Sequence, residues 1–371
     1  MNILLVDLDT EWRGGQNQAL LMLEGFQARS HTAELVSPEG SALGDRAKAR
    51  GIQVHRISPR FSRISAALKI SELSKSGRFD IVHANEAHAV TATWLARTHN
   101  RVPLVISRRV GYPIRKSALA LSRYRAAARI LPVSGWVAQR LAASGIDQEK
   151  MTVVYEGVEI PRLPPNEVRR EARLLWGVTD DSPLLGCVGV LLPDKGQDSL
   201  IRVLADLRQE FPQARLLLAG DGPDRPRLER LTTQLGLGNA VIFAGFVTAM
   251  EPVYTALDVF LFPSRFEGLG TSLLAAMSYA VPSVAFSTCA FGEIIEHGKS
   301  GLLAELGSET SLRNAAATLL RNPPIAKQIA AAARTRIEQK FSAAKMVDEM
   351  LRVYGSLTSS APNHPPIDTT L

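Results

Sequence analysis

Short runs of aliphatic and β-branched residues alternate along the first half of the chain with longer stretches whose apolar positions recur at helical spacing. The predicted strands are residues 3–7, 33–36, 54–57, 81–83, 104–106, 130–133 and 151–154. The predicted helices lie near residues 16–29, 65–75, 87–98 and 135–144. Strands that alternate with helices over this length are typical of a doubly wound parallel sheet.

The pattern changes near residue 160 and then starts again. Pro161, Pro164 and Pro165 fall within five residues and a charged helix near 167–175 follows, so we predict a linker at 161–183. Strands recur at 184–190, 215–219, 241–243, 258–262 and 283–286, and the pattern is helical from 310 to about 354. We therefore expect an α/β protein with two Rossmann-like, doubly wound domains, residues 1–160 and 184–340, that face a central cleft. The tail, residues 356–371, is rich in Pro, Ser and Thr and is predicted to be disordered.

Composition narrows the class of protein. Apolar residues make up 46% of the chain and charged residues 21%, as in soluble globular proteins, and no apolar run approaches the ~18–20 residues of a membrane span. The N-terminus has no basic segment before its apolar run and carries Asp7 and Asp9, which favours a first strand over a signal peptide. Cys187 and Cys289 show no metal or redox spacing. A reduced, cytoplasmic protein is expected.

Positive charge is concentrated in the first half. Residues 1–160 hold 22 Lys and Arg against 14 Asp and Glu, whereas the remainder holds 21 against 22. Between residues 97 and 129, nine basic residues occur without an acidic one. This block predicts an anionic partner. Nucleic acid is disfavoured because the block contains only Tyr112 and Tyr124 as aromatic residues and no nucleic-acid motif, whereas an anionic membrane surface or a phosphorylated acceptor fits.

One stretch of the second half combines groups suited to a phosphate with a group suited to hydroxyls. A strand ends at Phe262, a glycine loop follows, and a helix then begins, so backbone N–H groups are left for a phosphate or diphosphate. Glu267 would accept hydrogen bonds from hydroxyls instead. The predicted binding residues are Glu267, Gly268, Leu269, Gly270, Thr271 and Ser272. Together they indicate a nucleotide-sugar site, the alternative being an ordinary strand-loop-helix unit in which Glu267 is a solvated charge.

The same stretch resembles the donor-site motif of the family-4 retaining glycosyltransferases of the GT-B fold, roughly Pro-Ser-x-x-Glu-Gly-Phe-Gly, a helix with a second Glu, and Gly-x-Pro-Val-Val-Ala. The matching residues are Pro263, Ser264, Glu267, Gly268, Gly270, Pro282, Val284 and Ala285. Ala275 replaces the second Glu and Ala280 the glycine. The resemblance implies transfer of a sugar from a nucleotide-diphosphate sugar with retention of anomeric configuration and without a metal or other cofactor. It also implies that a terminal helix, residues 341–355, packs back on the first domain.

Three positions of the first domain fall where parallel strands end, which is where such sheets bind ligands. Gly14 and Gly15 resemble the family's glycine loop, which lies against the donor, although a tight turn would use glycines equally well. A catalytic role is predicted for His83, although a lone histidine is more often structural. Arg109 stands where many relatives have the histidine of a Thr-x-His motif. Because arginine cannot act as a base, an electrostatic or acceptor-binding role is expected, the alternative being a solvated basic loop.

Other elements of the second domain also resemble the family's donor site. Lys195 matches the lysine that clamps the diphosphate, but Val190 stands where the family has an arginine. Asp221 and Gly222 match a tight turn that borders the nucleotide, and Phe246 belongs to an element whose backbone usually meets the base.

The two departures, Ala275 and Val190, keep a second hypothesis open. Each lost charged hydrogen bond weakens ligand binding by ~1.5–3 kcal/mol, so the protein could bind a nucleotide or glycan without transferring a sugar. Arg13, Arg109 or Arg265 could replace the lost positive charge. An NAD-linked oxidoreductase is disfavoured because no Gly-x-Gly-x-x-Gly follows the first strand.

The basic block also predicts the acceptor. Apolar residues alternate there with basic ones, namely Ile114, Ala118, Leu119 and Leu121 with Arg115, Lys116, Arg123 and Arg125. Such a surface suits reversible docking on an anionic membrane. We therefore expect a cytoplasmic protein, peripheral on the inner face of the membrane, whose acceptor is a lipid-linked or lipopolysaccharide-like glycan. The alternative is a solvated helix that keeps the domain soluble.

Overall fold

Two six-stranded parallel sheets, each flanked by helices, organise the computed structural model, which describes residues 1–60, 62–114 and 117–359. Among the described residues, the first unit comprises Met1–Val133, Val137–Val154 and Ala343–Ser359, and the second comprises Ser134–Trp136 and Tyr155–Ser342. The two doubly wound sheets predicted from the alternation of strands and helices are confirmed. No helix in the described ranges is both long and apolar enough to span a bilayer.

The first unit follows the predicted alternation and adds helices that the pattern did not reveal. Its strands are β1 (Asn2–Val6), β2 (Thr32–Pro38), β3 (Gln53–Ile57), β4 (Ile81–Ala84), β5 (Leu104–Arg108) and β6 (Arg129–Pro132). Its helices are α1 (Gly14–Gln27), α2 (Ala42–Ala49), α3 (Ser62–Lys75), α4 (Ala87–Leu95), α5 (Ala118–Arg125), α6 (Gly135–Ala143) and, at the other end of the chain, α15 (Ala343–Ser359). Serine hydroxyls cap two of the unforeseen helices: Ser41 accepts the Gly44 N–H at 3.1 Å and Ser117 the Ala120 N–H at 3.2 Å.

The strand order in the first unit is β3-β2-β1-β4-β5-β6, so the order reverses between β1 and β4. Ligands of open parallel sheets bind outside the carboxyl ends of the strands at such a point.

The segment 151–154, predicted as a seventh strand, is not one. It lies along β6 with Thr152 N–H and Val154 N–H donating to β6 carbonyls, but only Met151 forms a bridge, which is too short a pairing for a strand.

Helix α15 belongs to the first unit and packs on α1. A Cβ added to Gly25 of α1 would lie 2.5 Å from a methyl group of Val347, so the two helices approach closely at this glycine. The Tyr354 ring packs against Phe26 at a centroid distance of 5.7 Å. The helix continues to Ser359, so residues 356–359 of the predicted disordered tail are helical. The remainder of that prediction, residues 360–371, lies outside the described residues.

The second unit repeats the arrangement. Its strands are β7 (Leu184–Val188), β8 (Arg215–Ala219), β9 (Val241–Gly245), β10 (Val259–Phe262), β11 (Ser283–Phe286) and β12 (Leu302–Ala304), which was not predicted. Its helices are α7 (Asn166–Leu175), α8 (Gln197–Leu207), α9 (Arg225–Gln234), α10 (Glu251–Ala256), α11 (Thr271–Ser278), α12 (Phe291–Ile294), α13 (Glu309–Arg321) and α14 (Pro323–Lys340). The order is β12-β11-β10-β7-β8-β9, which reverses between β7 and β10.

The segment predicted as a linker, 161–183, is part of the second unit. Its helix, α7, is anchored by two arginines rather than exposed as a connector. Arg169 donates to Asp258 at 2.6 Å, and Arg173, only 2% exposed, donates to Asp258 at 3.1 Å and to the Ala256 carbonyl at 2.9 Å. Two charges of this helix thus form partly buried ion pairs at the amino edge of the sheet.

Candidate active site

Backbone hydrogen bonds join three loops at the carboxyl edge of the second unit's sheet. The loop after β7 donates from Gly189 N–H to the Ala219 carbonyl at 3.0 Å and from Leu191 N–H to the Asp221 carbonyl at 3.0 Å, both beside the end of β8. The loop after β10 donates from Arg265 N–H to the Asp194 carbonyl at 2.8 Å. The loops that carry the predicted donor-site residues therefore form one continuous surface.

Glycines permit this close approach. A Cβ on Gly196, whose φ is +70°, would lie 2.5 Å from the Pro263 carbonyl oxygen, and a Cβ on Gly222 would lie 2.4 Å from the Leu191 carbonyl oxygen. Real Cβ atoms do not approach oxygen so closely, so a side chain at either position would force the loops apart.

Lys195 and Glu267 meet on this surface, although 72 residues separate them. The Lys195 ammonium donates to Glu267 Oε1, which also accepts from the Ser264 hydroxyl at 3.1 Å. The side chains are 24% and 19% exposed, so both remain within reach of a ligand. A cation for phosphate oxygens and a carboxylate for hydroxyls lie side by side, held by a serine that fixes the carboxylate's orientation.

Helix α11 begins directly beside this pair. Its N-cap is Gly270 in the left-handed region, φ +107°, and no side chain in the described ranges caps the helix start. The Gly270 carbonyl accepts the Leu273 and Leu274 N–H groups at 3.0 and 3.2 Å, which leaves the N–H groups of Thr271 and Ser272 as the start of the helix. Gly268 and Leu269 are buried, and the Gly268 carbonyl accepts the Ser134 hydroxyl at 2.7 Å. Leu269 therefore supports the loop, with its side chain directed into the core.

Asp221, Gly222 and Phe246 lie further along the same edge, after β8 and β9. Gly220 N–H donates to the Gly245 carbonyl at 2.8 Å, which joins the two strand ends. The Phe246 side chain is 67% exposed, whereas Asp221 accepts its own turn's Gly222 N–H at 2.7 Å and pairs with Arg225 at 3.4 Å. The Phe246 ring is therefore exposed to solvent at the same edge of the sheet as the turn that holds Asp221 and Gly222.

The loop after β7 carries Val190, where the resemblance implies an arginine. Val190 is 47% exposed on the loop after β7, so the position faces solvent. Arg265, from the loop after β10, extends over that loop, where it donates to the Pro193 carbonyl at 3.3 Å and to the Ser199 hydroxyl at 3.5 Å. The Arg265 guanidinium thus contacts the segment that carries Lys195, whereas Arg13 pairs with Glu11 in the first unit.

The first unit brings the other predicted residues to the carboxyl edge of its own sheet. Gly14 and Gly15 form the first turn of α1 rather than a loop before it, and the helix has no side-chain cap at its start. Arg109 follows β5 and extends towards this turn, since a Cβ on Gly15 would lie 3.6 Å from its Cδ. Arg109 and the two glycines are therefore neighbours.

Sequence reasoning missed a buried polar network that holds Arg109. Arg109 donates to Asn85 Oδ1 at 2.6 Å, and Asn85 Nδ2 donates to Asp7 Oδ2 at 2.6 Å. Gln16 Nε2 donates to both Asp7 oxygens, at 3.3 and 3.2 Å. Burial raises the pKa of Asp7 above its ordinary value. Polar residues directly after β1 and β4, on either side of the point where the strand order reverses, were the available signal.

His83 does not have the position that a catalytic group requires. Its ring is fully buried, Nε2 lies 2.8 Å from the Ser107 hydroxyl, and Nδ1 contacts the Tyr354 hydroxyl. Burial, with the nearby Arg109 cation, lowers the pKa of His83 to about 3, so the ring is neutral. Because both nitrogens are engaged within the core, the predicted catalytic role is replaced by a structural one that links β4 to α15.

Glu86 is a second group that the sequence did not single out. It is the N-cap of α4 and its Oε1 accepts the Ala89 N–H at 2.6 Å and the Leu8 N–H at 3.2 Å. Burial, reinforced by the Asp7 carboxylate, raises the pKa of Glu86 to about 7.

No group of three or more His, Cys, Asp or Glu side chains arranged to hold a metal ion occurs within residues 1–60, 62–114 and 117–359.

Two family models match the chain. The model described as Glycosyltransferase Family 4 matches residues 12–162, and the model described as Glycosyl transferases group 1 matches residues 169–336. Between them they cover most of both units. The chain belongs to the family-4 glycosyltransferases of the GT-B fold.

Named relatives agree with this assignment. The chain is 32% identical over 212 residues to a GDP-mannose-dependent α-(1-6)-phosphatidylinositol monomannoside mannosyltransferase of Mycolicibacterium smegmatis, a match that spans 54% of this chain and 55% of the relative. It is 28% identical over 319 residues to a D-inositol 3-phosphate glycosyltransferase of Stackebrandtia nassauensis, spanning 78% and 71%. Among solved structures, Anabaena HepE in complex with UDP and glucose has a TM-score of 0.85 at 23% identity, over 96% of this chain and all of that one.

Proposed function

We propose that the protein transfers a sugar from a nucleotide-diphosphate sugar to an anionic glycan or lipid-linked acceptor, with retention of anomeric configuration. The second unit would bind the donor. Lys195, Arg265 and the first N–H groups of α11 would stabilise the departing diphosphate, which is where negative charge develops. Glu267 would hold hydroxyls of the donor sugar.

The observation that carries this proposal is the contact between Lys195 and Glu267 beside the uncapped start of α11. A phosphate site alone would need only the cation and the amides. A carboxylate fixed next to them would repel a phosphate, so its position is explained by a ligand that presents hydroxyls and a diphosphate together. Asp221, Gly222 and the exposed Phe246 ring provide a place for the nucleoside further along the same edge.

The two departures from the family motif do not favour a mere binding protein. The two relatives described above are named as transferases, and Arg265 supplies a guanidinium that contacts the loop carrying Val190 and Lys195. Ala275, half-buried in α11, offers no such replacement, so a contact to the ribose is expected to be absent. We infer a donor site with altered affinity for the nucleoside and with its diphosphate contacts retained.

A donor panel tests the proposal. One named relative is GDP-mannose-dependent and one structural neighbour was solved with UDP, so UDP-, GDP- and ADP-sugars are all included. We expect slow hydrolysis of at least one of them. Glu267→Ala should lower this rate by about tenfold or more, whereas Glu305→Ala, on the exposed surface of the second unit, should not change it. Binding of nucleoside diphosphates without turnover of any sugar would instead support the non-catalytic alternative. An NMR assay of the anomeric product decides the question of retention.

The acceptor and the membrane contact are proposed from the first unit. Helices α3 and α4 pack together, as do α4 and α5, and large apolar side chains are exposed on all three: Ile64 is 59% exposed, Leu68 70%, Leu95 48% and Leu119 53%. Arg97, Arg101 and Arg125 are exposed near these helices. Apolar side chains flanked by cations are suited to an anionic lipid headgroup region.

The residues exposed on this surface differ from those that the sequence predicted for it. Arg108 is buried, where it donates to the Tyr124 hydroxyl at 3.0 Å, and Ile114 is only 7% exposed, so neither belongs to an outer surface. Arg115 and Lys116, both part of the predicted basic surface, lie outside the described residues. Ile64 and Leu68 of α3, which sequence reasoning did not include, have the largest exposed fractions of this group.

A further inference from the structure

The connection between Asp7 and Arg109 passes through a single buried amide. Asn85 is 1% exposed and uses both ends of its side chain, with Nδ2 donating to Asp7 and Oδ1 accepting from Arg109, each at 2.6 Å. Asn85 Nδ2 also lies 3.4 Å from the Gly15 carbonyl oxygen. Two acceptors on one side leave the amide no choice of orientation, because a flipped side chain would direct its oxygen at the Asp7 carboxylate.

Asp7 is in turn held rigidly. It is fully buried and accepts hydrogen bonds from Asn85, from Gln16 Nε2 and, at 3.1 Å, from Asp9 N–H. A buried carboxylate with several donors is costly to disturb, since each donor and acceptor would be left unsatisfied. The Asp7 carboxylate therefore fixes the Asn85 amide, and the amide in turn fixes the Arg109 guanidinium. These hydrogen bonds fix the orientation of Arg109 rather than its charge state, because the group that contacts Arg109, the Asn85 amide, is neutral.

We propose that Asn85 is a positioning residue that, anchored by Asp7, orients the Arg109 guanidinium for a phosphate-bearing substrate of the first unit. The inference rests on the proposed function in placing an anionic acceptor on the first unit, and it adds Arg109 as a group that binds this acceptor. It goes beyond that function in assigning the orientation of Arg109 to two buried residues that touch no substrate. A long flexible side chain binds well only when its rotamers are restricted, and the hydrogen bond to Asn85 restricts Arg109 in this way.

The probe is pyrophosphate, titrated calorimetrically into the full-length chain that carries Lys195→Gln and Arg265→Gln. Those substitutions remove both cations proposed to bind the diphosphate in the second unit. Arg109→Met is expected to weaken the remaining binding roughly ten- to a hundredfold. Asn85→Asp keeps the side-chain volume but gives Arg109 a carboxylate partner, and Asn85→Ala removes the support. Both are expected to weaken binding about tenfold. Asn314→Asp, which adds the same charge on the exposed surface of α13, should have no effect.

Two further readouts separate positioning from general damage. In the Arg109→Met background, Asn85→Ala should cause no further loss of pyrophosphate binding, because its effect passes through the guanidinium. The Arg109 Nε–H resonance, assigned by its loss in Arg109→Met, should be distinct in the native chain and move to the solvent-averaged position in Asn85→Ala. Thermal unfolding of each variant verifies that it is folded.

The outcomes are decisive in either direction. Pyrophosphate binding that is independent of Arg109, additive losses in the double variant, or an unchanged Arg109 resonance in Asn85→Ala would each overturn the inference. These results are independent of whether any nucleotide sugar is hydrolysed. A failed donor panel would therefore reject the proposed transferase activity without deciding the role of Asn85.

Discussion

At the scale of single residues, the carboxylate of Glu267 is the group whose chemistry is easiest to test. It is held by the Ser264 hydroxyl and the Lys195 ammonium. Glu267→Ala is expected to lower kcat by one to several powers of ten, roughly 2–4 kcal/mol of transition-state stabilisation, because contacts to the sugar strengthen as charge develops. Steady-state kinetics with the donor found in the panel measures this. A variant that is folded and retains native kcat would show that the carboxylate does not contact the sugar.

Lys195 has a different expected effect, because its proposed contact is with the diphosphate alone. Lys195→Gln should weaken binding of the nucleotide sugar and of the nucleoside diphosphate by similar factors, while binding of the monophosphate changes little. Isothermal titration of the three ligands gives the comparison. Equal losses for diphosphate and monophosphate would indicate that the lysine acts by holding Glu267 and the loop after β7 in place.

At the scale of elements, the start of α11 depends on one backbone conformation. Gly270 has φ +107°, and a Cβ there would lie 2.9 Å from the Phe262 ring and 3.2 Å from the Phe291 ring. Gly270→Ala is therefore expected to destabilise the protein by about 1–3 kcal/mol and to weaken nucleoside diphosphate binding, since the first N–H groups of the helix would be displaced.

Gly292 offers a matched control for that substitution. A Cβ at Gly292 meets nothing within 4 Å, and its φ is not positive. Gly292→Ala should leave both stability and ligand binding near native values or raise stability slightly. Chemical denaturation and calorimetric titration are made on both variants. If the two alanine variants behaved alike, the left-handed cap would not be what positions the amides.

The hydrogen bond between His83 of β4 and Tyr354 of α15 should make the stability of the protein depend on pH. His83 is neutral in the folded state with a pKa of about 3, against an ordinary 6.5. At pH values between 3 and 6.5 the unfolded chain therefore binds more protons than the folded chain. The contribution of His83 to the free energy of unfolding is complete above pH 6.5 and is lost as the pH falls towards 3. Each unit of difference corresponds to about 1.4 kcal/mol.

His83→Gln removes this pH dependence while its amide still bonds the Tyr354 and Ser107 hydroxyls. We expect the free energy of unfolding of the native chain to fall more steeply between pH 6.5 and 5 than that of the variant, as measured by urea denaturation. The raised pKa of Glu86 acts in the opposite direction, since its contribution is lost as the pH rises from 4.5 to about 7. It is present in both proteins and cancels in the comparison. Parallel pH profiles would contradict the assignment of a buried neutral ring.

At the scale of the whole molecule, the distribution of charge and exposed apolar area predicts membrane docking. The protein should co-sediment with vesicles containing anionic lipid, less at high salt and not with neutral vesicles. Replacing Arg97, Arg101 and Arg125 by Gln should reduce binding, as should Ile64→Ser with Leu68→Ser. The control replaces Lys299, Lys327 and Lys340, exposed in the second unit, by Gln. Protein that remains in the supernatant with anionic vesicles at low salt would favour a soluble phosphorylated acceptor.

The sequence alone determined the repeating architecture and the donor loop. Alternation of strands and helices predicted both sheets because hydrophobic periodicity is a local property. The donor motif, Glu267 to Ser272, is likewise contiguous, and its helix start binds anions by local geometry. Errors arose where the local signal was weak: β12 has only three residues, and Ser41 and Ser117 begin helices of eight residues whose apolar pattern is short.

Tertiary structure alone decided which chemical groups are available. Lys195 and Glu267 are 72 residues apart, and Asp7 and Asn85 are 78 apart, so each contact exists only because parallel strands bring their carboxyl ends to one edge. His83 was predicted to be catalytic from its place at a strand end, but α15, from the far end of the chain, covers it with Tyr354. The chemistry of a titratable side chain depends on burial and on neighbours that are distant in sequence, and neither can be determined from a local pattern.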